Sequence, residues 1–118
     1  MISTAIALVL EDEPLIAMDI ELILGDAGFA VSTVMSCEEA TNWLATNRPD
    51  IVVVDIMLHD GASDAVAARL VAESIPFIVY SGDLRDQHVG TPFEHGVWLS
   101  KPAPPSELAD TARALLAV

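Results

Sequence analysis

The chain has 118 residues, 53% of them hydrophobic, with 18 Asp+Glu against 5 Lys+Arg for a formal net charge of −13. That is one domain with a real core, not a disordered chain. The acidic excess argues against partners such as nucleic acid or anionic membrane, where Lys and Arg supply the attraction. Cys37 is the single cysteine, so no internal disulfide can form, and a cytoplasmic setting is the expectation. No stretch approaches a membrane span. The apolar run Ala5 to Leu10 follows no basic residue and stops at Glu11-Asp12-Glu13, unlike a signal peptide.

In chain order, Ala5 to Leu10 reads as a buried strand. Pro14 to Ala27 reads as a helix with Ile16, Ile20, Ile23, Leu24 and Ala27 on one face, Pro14 in its first turn and Gly28 as its stop. Ala30 to Val34 is a short strand, and Glu38 to Ala45 a helix packing Ala40, Leu44 and Trp43 inward. Ile51 to Val54 is the strongest strand, β-branched throughout, followed by a helix over Asp64 to Glu73. Phe77 to Tyr80 and Gly96 to Leu99 are two further strands, and Pro105 to Leu116 is a final helix. The segment Asp83 to His95 has only Leu84, Val89 and Phe93 to bury, so a short or irregular fourth helix is expected there. Strands this apolar belong to a parallel sheet covered on both faces, which predicts a three-layer α/β sandwich. Residues 1–118 are expected to form one domain with no output domain, working through partners.

In such a sheet the ligand site lies beyond the carboxyl ends of the strands. The first strand ends in Glu11-Asp12, the third in Asp55, the fourth in Ser81 and the fifth in Lys101. Each has a plain structural reading: Asp12 before Pro14 as a helix N-cap, Ser81 as a turn residue, Lys101 as a solvated charge. All of them falling at one edge weakens those readings. Lys101 is also the only lysine, every other basic residue being Arg. Two carboxylates about 4 Å apart repel by roughly 4 kcal/mol at an effective dielectric near 20, so three of them need a cation. An oxygen-only set suits Mg²⁺ or Mn²⁺. His59, His88 and His95 are scattered, make no zinc set and read as solvated loop residues. A divalent cation, an ammonium and a hydroxyl around a carboxylate are equipment for a phosphoryl group, with Asp55 as nucleophile.

This pattern resembles the receiver domains of two-component response regulators over essentially the whole chain. The resemblance rests on Glu11-Asp12, on Asp55 after Ile51 to Val54, on Gly61 six residues later, on Ser81, and on Lys101-Pro102. It implies a flavodoxin-like strand order 2-1-3-4-5 and Asp55 as phosphoacceptor. It implies Mg²⁺ held by Glu11, Asp12, Asp55 and the backbone carbonyl of Met57. Ser81 and Trp98 would be switch residues, Lys101 the phosphate contact, and Lys101–Pro102 a cis bond. The implied partners are a sensor histidine kinase or phosphotransfer protein and a downstream protein target, with a homodimer possible and no nucleic acid or membrane. The chain would be a switch and no enzyme beyond its own phosphorylation and dephosphorylation. The stretch Pro76 to Gly82 is also similar to the stand-alone alphaproteobacterial receivers with a Phe-Ala-Thr-Gly-like motif, although Val79, Tyr80 and Ser81 stand where Phe, Ala and Thr are usual. Trp98 stands where Tyr or Phe is usual and reads equally as cover for the sheet edge. Pro104 replaces a polar cap before the last helix, and Asp83 is placed to approach the phosphoryl site.

Three rivals are weighed. A haloacid-dehalogenase-like phosphatase needs a second Asp where Met57 stands. A flavodoxin-like flavin carrier needs a phosphate cradle where Glu11-Asp12-Glu13 would repel one. A phosphorylation-independent, receiver-like adaptor remains as the alternative function.

Overall fold

A computed structural model describes residues 4–116; the remaining residues of the expected 1–118 domain lie outside the described ones. Five parallel strands, β1 (Ile6–Leu10), β2 (Ala30–Val34), β3 (Ile51–Val54), β4 (Phe77–Ser81) and β5 (Val97–Ser100), form one sheet in the order β2-β1-β3-β4-β5. The helices are α1 (Pro14–Asp26), α2 (Cys37–Thr46), α3 (Asp64–Ala72) and α4 (Pro105–Leu116). Where a further helix would lie between β4 and β5 there are two 3₁₀ turns, Arg85–His88 and Pro92–His95, in line with the irregular helix expected there.

Successive strand residues face opposite sides of a sheet, and here both sides are apolar. Leu8, Leu10, Val52, Val54, Phe77 and Val79 pack with Ala40 and Leu44 of α2 and Val66, Ala67 and Leu70 of α3. Ala7, Val9, Ile51, Val53, Ile78 and Tyr80 pack on the other face with Ile20 and Leu24 of α1 and Leu108 and Ala112 of α4. Phe93 joins the first of these layers with no exposed surface. That corrects its expected minor role: it is the one buried side chain of the two 3₁₀ turns.

Register, more than any single side chain, positions the site. Leu10 pairs with Val54 and Val54 with Val79, so β1 and β3 end level and Glu11 and Asp55 leave the sheet side by side. Ser81 pairs with Ser100, which brings Lys101 to the same edge. The N-cap expected at Asp12 is not there, while Gly28 ends α1 as expected. Pro14 occupies the first turn of α1, so the N-cap position falls on Glu13, without a side-chain cap, and Asp12 is not spent on capping. Gly28 adopts φ +102°, the left-handed conformation that ends α1 and turns Phe29 into the core. Gly96 is needed for a different reason: a Cβ there would lie 2.5 Å from Phe77 Cε2.

Candidate functional site

Glu11, Asp12 and Asp55 each offer a carboxylate oxygen within 4.8 Å of the other two. Glu11 is almost fully buried. Its Oε1 accepts a 2.8 Å bond from Lys101 Nζ, and its Oε2 accepts one from the backbone N–H of Glu13. The same ammonium lies 3.2 Å from Asp55 Oδ2. A single lysine thus bridges the acids that end β1 and β3. Its side chain is 21% exposed and that of Asp55 17%, so both remain reachable from solvent.

The arrangement is electrostatically loaded. Burial pushes the Asp55 carboxyl up to about 6 from an ordinary 3.8; Lys101 opposes the rise and the Glu11 charge adds to it. Burial alone would lower the Lys101 ammonium, but its bond to Glu11 and the charges of Asp55 and Glu11 outweigh that and hold it above its usual value. Three converging carboxylates with no nitrogen or sulfur donor fit a hard divalent cation such as Mg²⁺. Met57 begins a two-residue ladder with Ala62 just beyond Asp55, and its side chain is exposed.

Ser81 ends β4 at the same edge of the sheet, paired with Ser100. It is buried, and its Oγ accepts a 2.9 Å bond from the N–H of Asp83. Because a hydroxyl can donate and accept together, its proton remains available to a further acceptor. Trp98, on β5, is half-buried, and its Nε1 donates to the Phe93 carbonyl at 3.1 Å. The Lys101–Pro102 bond is cis. Asp83, expected near the phosphoryl site, has its carboxylate on His88 Nε2 at 3.0 Å. His88 is itself a correction: it is hydrogen-bonded to Asp83 and packed against aromatic rings, not a solvated loop residue.

Three positioning residues escaped the sequence reading. Ser63 is fully buried; its hydroxyl proton is shared between the Asp55 carbonyl at 2.7 Å and the Ile56 carbonyl at 3.1 Å, fixing the backbone at Asp55. Its only signal was a serine just ahead of α3, which suggests a cap, yet it makes no side-chain cap. Tyr80 hid in an apolar run. Its ring lies 5.6 Å from Lys101 Nζ and its hydroxyl accepts from the Ala103 N–H, so it supports the segment after Lys101 from below. Asp60 accepts from the N–H groups of Cys37 and Glu38, tying the loop after Asp55 to the start of α2.

A doubly wound sheet with an acid cluster and a bridging lysine at its carboxyl edge defines a class of small signalling modules. Residues 7–113 match the family model described as the response regulator receiver domain, and the chain belongs to that family. It is 31% identical over 112 residues to the probable transcriptional regulator ycf27 of Guillardia theta, covering 92% of this chain and 44% of that one. It is 32% identical over 106 residues to the phyllosphere-induced regulator PhyR of Methylorubrum extorquens, covering 86% and 40%. The chain therefore spans less than half the length of these curated relatives. Among solved structures, a putative response regulator from Chloroflexus aurantiacus superposes with a TM-score of 0.85 at 27% identity, covering 98% of this chain and all of that one.

Proposed function

We propose that the chain is a phosphoacceptor switch: Asp55 takes a phosphoryl group from the phosphohistidine of a sensor kinase or phosphotransfer protein, and a partner protein reads the result. The observation that carries this is Lys101 Nζ bridging Glu11 and Asp55 at the edge of the sheet where β4 also ends in Ser81. In the transfer, an Asp55 carboxylate oxygen attacks phosphorus and the phosphorus–nitrogen bond of the donor breaks. Its electron pair returns to the imidazole, which takes a proton from solvent. Lys101 faces the incoming phosphoryl oxygens as a positive charge, and Ser81 donates its free proton to one of them. Glu11, Asp12, Asp55 and the Met57 backbone carbonyl would hold Mg²⁺ or Mn²⁺, which when bound supplies further positive charge to those oxygens. Ser63 keeps the attacking carboxylate in place through the Asp55 carbonyl. Ser81 and Trp98 carry the switch, as an aspartyl phosphate adds roughly 1.5 to 2 negative charges. The chain catalyses only its own phosphorylation and dephosphorylation, and its partners are cytoplasmic proteins, not nucleic acid or membrane. Among the described residues no helix is long and apolar enough to cross a membrane.

The test is intact mass after incubation with Mg²⁺ and acetyl phosphate, beside Asp55→Asn and a metal-free control. One phosphoryl adduct in the parent alone is expected. No adduct from acetyl phosphate, nor from a phosphohistidine donor, would overturn the reading and leave the phosphorylation-independent adaptor.

A further inference from the structure

Asp83 is used twice. Its N–H donates to Ser81 Oγ at 2.9 Å, and its carboxylate lies 3.0 Å from His88 Nε2. The His88 side chain is only 18% exposed, although the turn that carries it has no buried residue. Its ring lies 5.5 Å from the Trp98 indole at a 32° tilt and edge-on to Phe93 at 5.8 Å and 85°. The Trp98 Nε1 in turn donates to the Phe93 carbonyl. An unbroken chain of contacts therefore runs from the Ser81 hydroxyl through Asp83 and His88 to Trp98.

Little else holds this segment. Phe93 is its only buried side chain; Thr91 Oγ1 donates to the His88 carbonyl at 2.6 Å in a half-buried position, and three other side-chain ties are exposed: Arg85 to the Glu94 carbonyl, Gly90 N–H to the Glu94 carboxylate, and Leu84 N–H to Gln87. A segment with one apolar anchor and polar ties on its surface has a low free energy of local opening.

We propose that His88 is a positioning residue that couples the acidic site to the Trp98 face. The inference rests on the phosphoacceptor reading and adds a named link to it. When Ser81 turns its proton toward a phosphoryl oxygen on Asp55, its Oγ moves and the Asp83 N–H bonded to it follows. The Asp83 carboxylate then shifts against His88, and the imidazole shifts against the indole it covers. In the resting protein, His88 holds the segment closed over Trp98. The two arrangements of this segment form the two-state element on which both ends of the chain of contacts act.

The experiment uses the full chain with Trp43→Phe, so that emission reports Trp98 alone. Without any phosphoryl group, His88→Ala uncovers the indole, and its emission moves to longer wavelength. With Mg²⁺ and beryllium fluoride as the phosphoryl mimic, the background protein changes its Trp98 emission and His88→Ala loses that change. His88→Arg restores it, because a guanidinium can both pair with Asp83 and stack on the indole. Intact mass with acetyl phosphate is followed in parallel, and His88→Ala is expected to keep its Asp55 adduct. A full emission change in His88→Ala, or none restored by His88→Arg, overturns the coupling alone. Absence of an adduct in the background protein, from acetyl phosphate and from a phosphohistidine donor alike, overturns the phosphoacceptor reading and the coupling with it.

Discussion

Two connections leave the same edge of the sheet and are held in opposite ways. The loop from Asp55 to Ser63 is short and tied at every step. Ile56, Leu58 and Ser63 are buried, Met57–Leu58 pairs with Gly61–Ala62, Ser63 Oγ grips two carbonyls, and Asp60 binds the start of α2. The segment from Gly82 to Gly96 is longer, makes two 3₁₀ turns, and buries Phe93 alone. A nucleophile has to hold its geometry to be useful, since misplacement by about 1 Å can cost on the order of 10²-fold in rate. A reporter segment has to have a second arrangement within reach. On the proposed reading, the difference between the two loops is a division between the part that would react and the part that would signal.

The comparison breaks first at Phe93. If that ring is the anchor of the second segment, Phe93→Ala destabilises by about 3 to 5 kcal/mol, the usual cost of deleting a buried aromatic. Denaturant midpoints read this, and amide exchange between residues 82 and 96 should quicken well before exchange in the loop from 55 to 63. A loss of under about 1 kcal/mol, far below that range, would mean the segment is already loose and Phe93 anchors nothing. A smaller effect is expected on the first loop. Ser63→Ala leaves the Asp55 carbonyl without its 2.7 Å donor and should destabilise by about 1 to 3 kcal/mol. It should also slow adduct formation from acetyl phosphate while leaving resting Trp98 emission unchanged. Movement of that emission would show that the two loops are not separate devices.

Most of the frame was legible because two simple patterns repeat. Fully apolar four- to six-residue runs mark strands buried on both faces, and Ile51 to Val54 and Phe77 to Tyr80 are such runs. The acids stood out because a charge directly after such a run has to leave the sheet at its edge, as Glu11 and Asp55 do. The absence of a regular helix after β4 was legible for the converse reason, a lack of periodic apolar residues. Phe93 was undervalued because a lone aromatic in an irregular segment carries no period, and its burial is decided by the shape of the layer it enters. Ser63, Tyr80 and His88 were hidden in another way. Each acts through directional bonds or ring contacts, among them those to Asp55, Ala103 and Asp83 respectively, and such contacts depend on side-chain directions that periodicity does not report.

The finest comparison is between Asp55 as it stands and the same position without a charge. Its carboxyl is raised from 3.8 to about 6 in the fold, first by burial and then by the Glu11 charge, against the pull of Lys101. A folded state that holds a proton more tightly than the unfolded chain is favoured at low pH, where both forms are protonated or only the folded one is. As pH rises from about 4 through 6, the ionised carboxylate becomes a cost to the fold, and above that the cost is constant. Asp55→Asn keeps an oxygen acceptor for Lys101 and removes the charge. Its melting temperature should therefore match the parent near pH 4 and exceed it at pH 7.5, with the gain appearing between those values. Mg²⁺ should raise the parent's melting temperature at pH 7.5, do so less at pH 5 where a proton competes for Asp55, and act weakly on Asp55→Asn throughout. If Asp55→Asn proved less stable than the parent at pH 7.5, the pairing with Lys101 would outweigh the strain among the acids, and the reactive loop would be relaxed, not loaded.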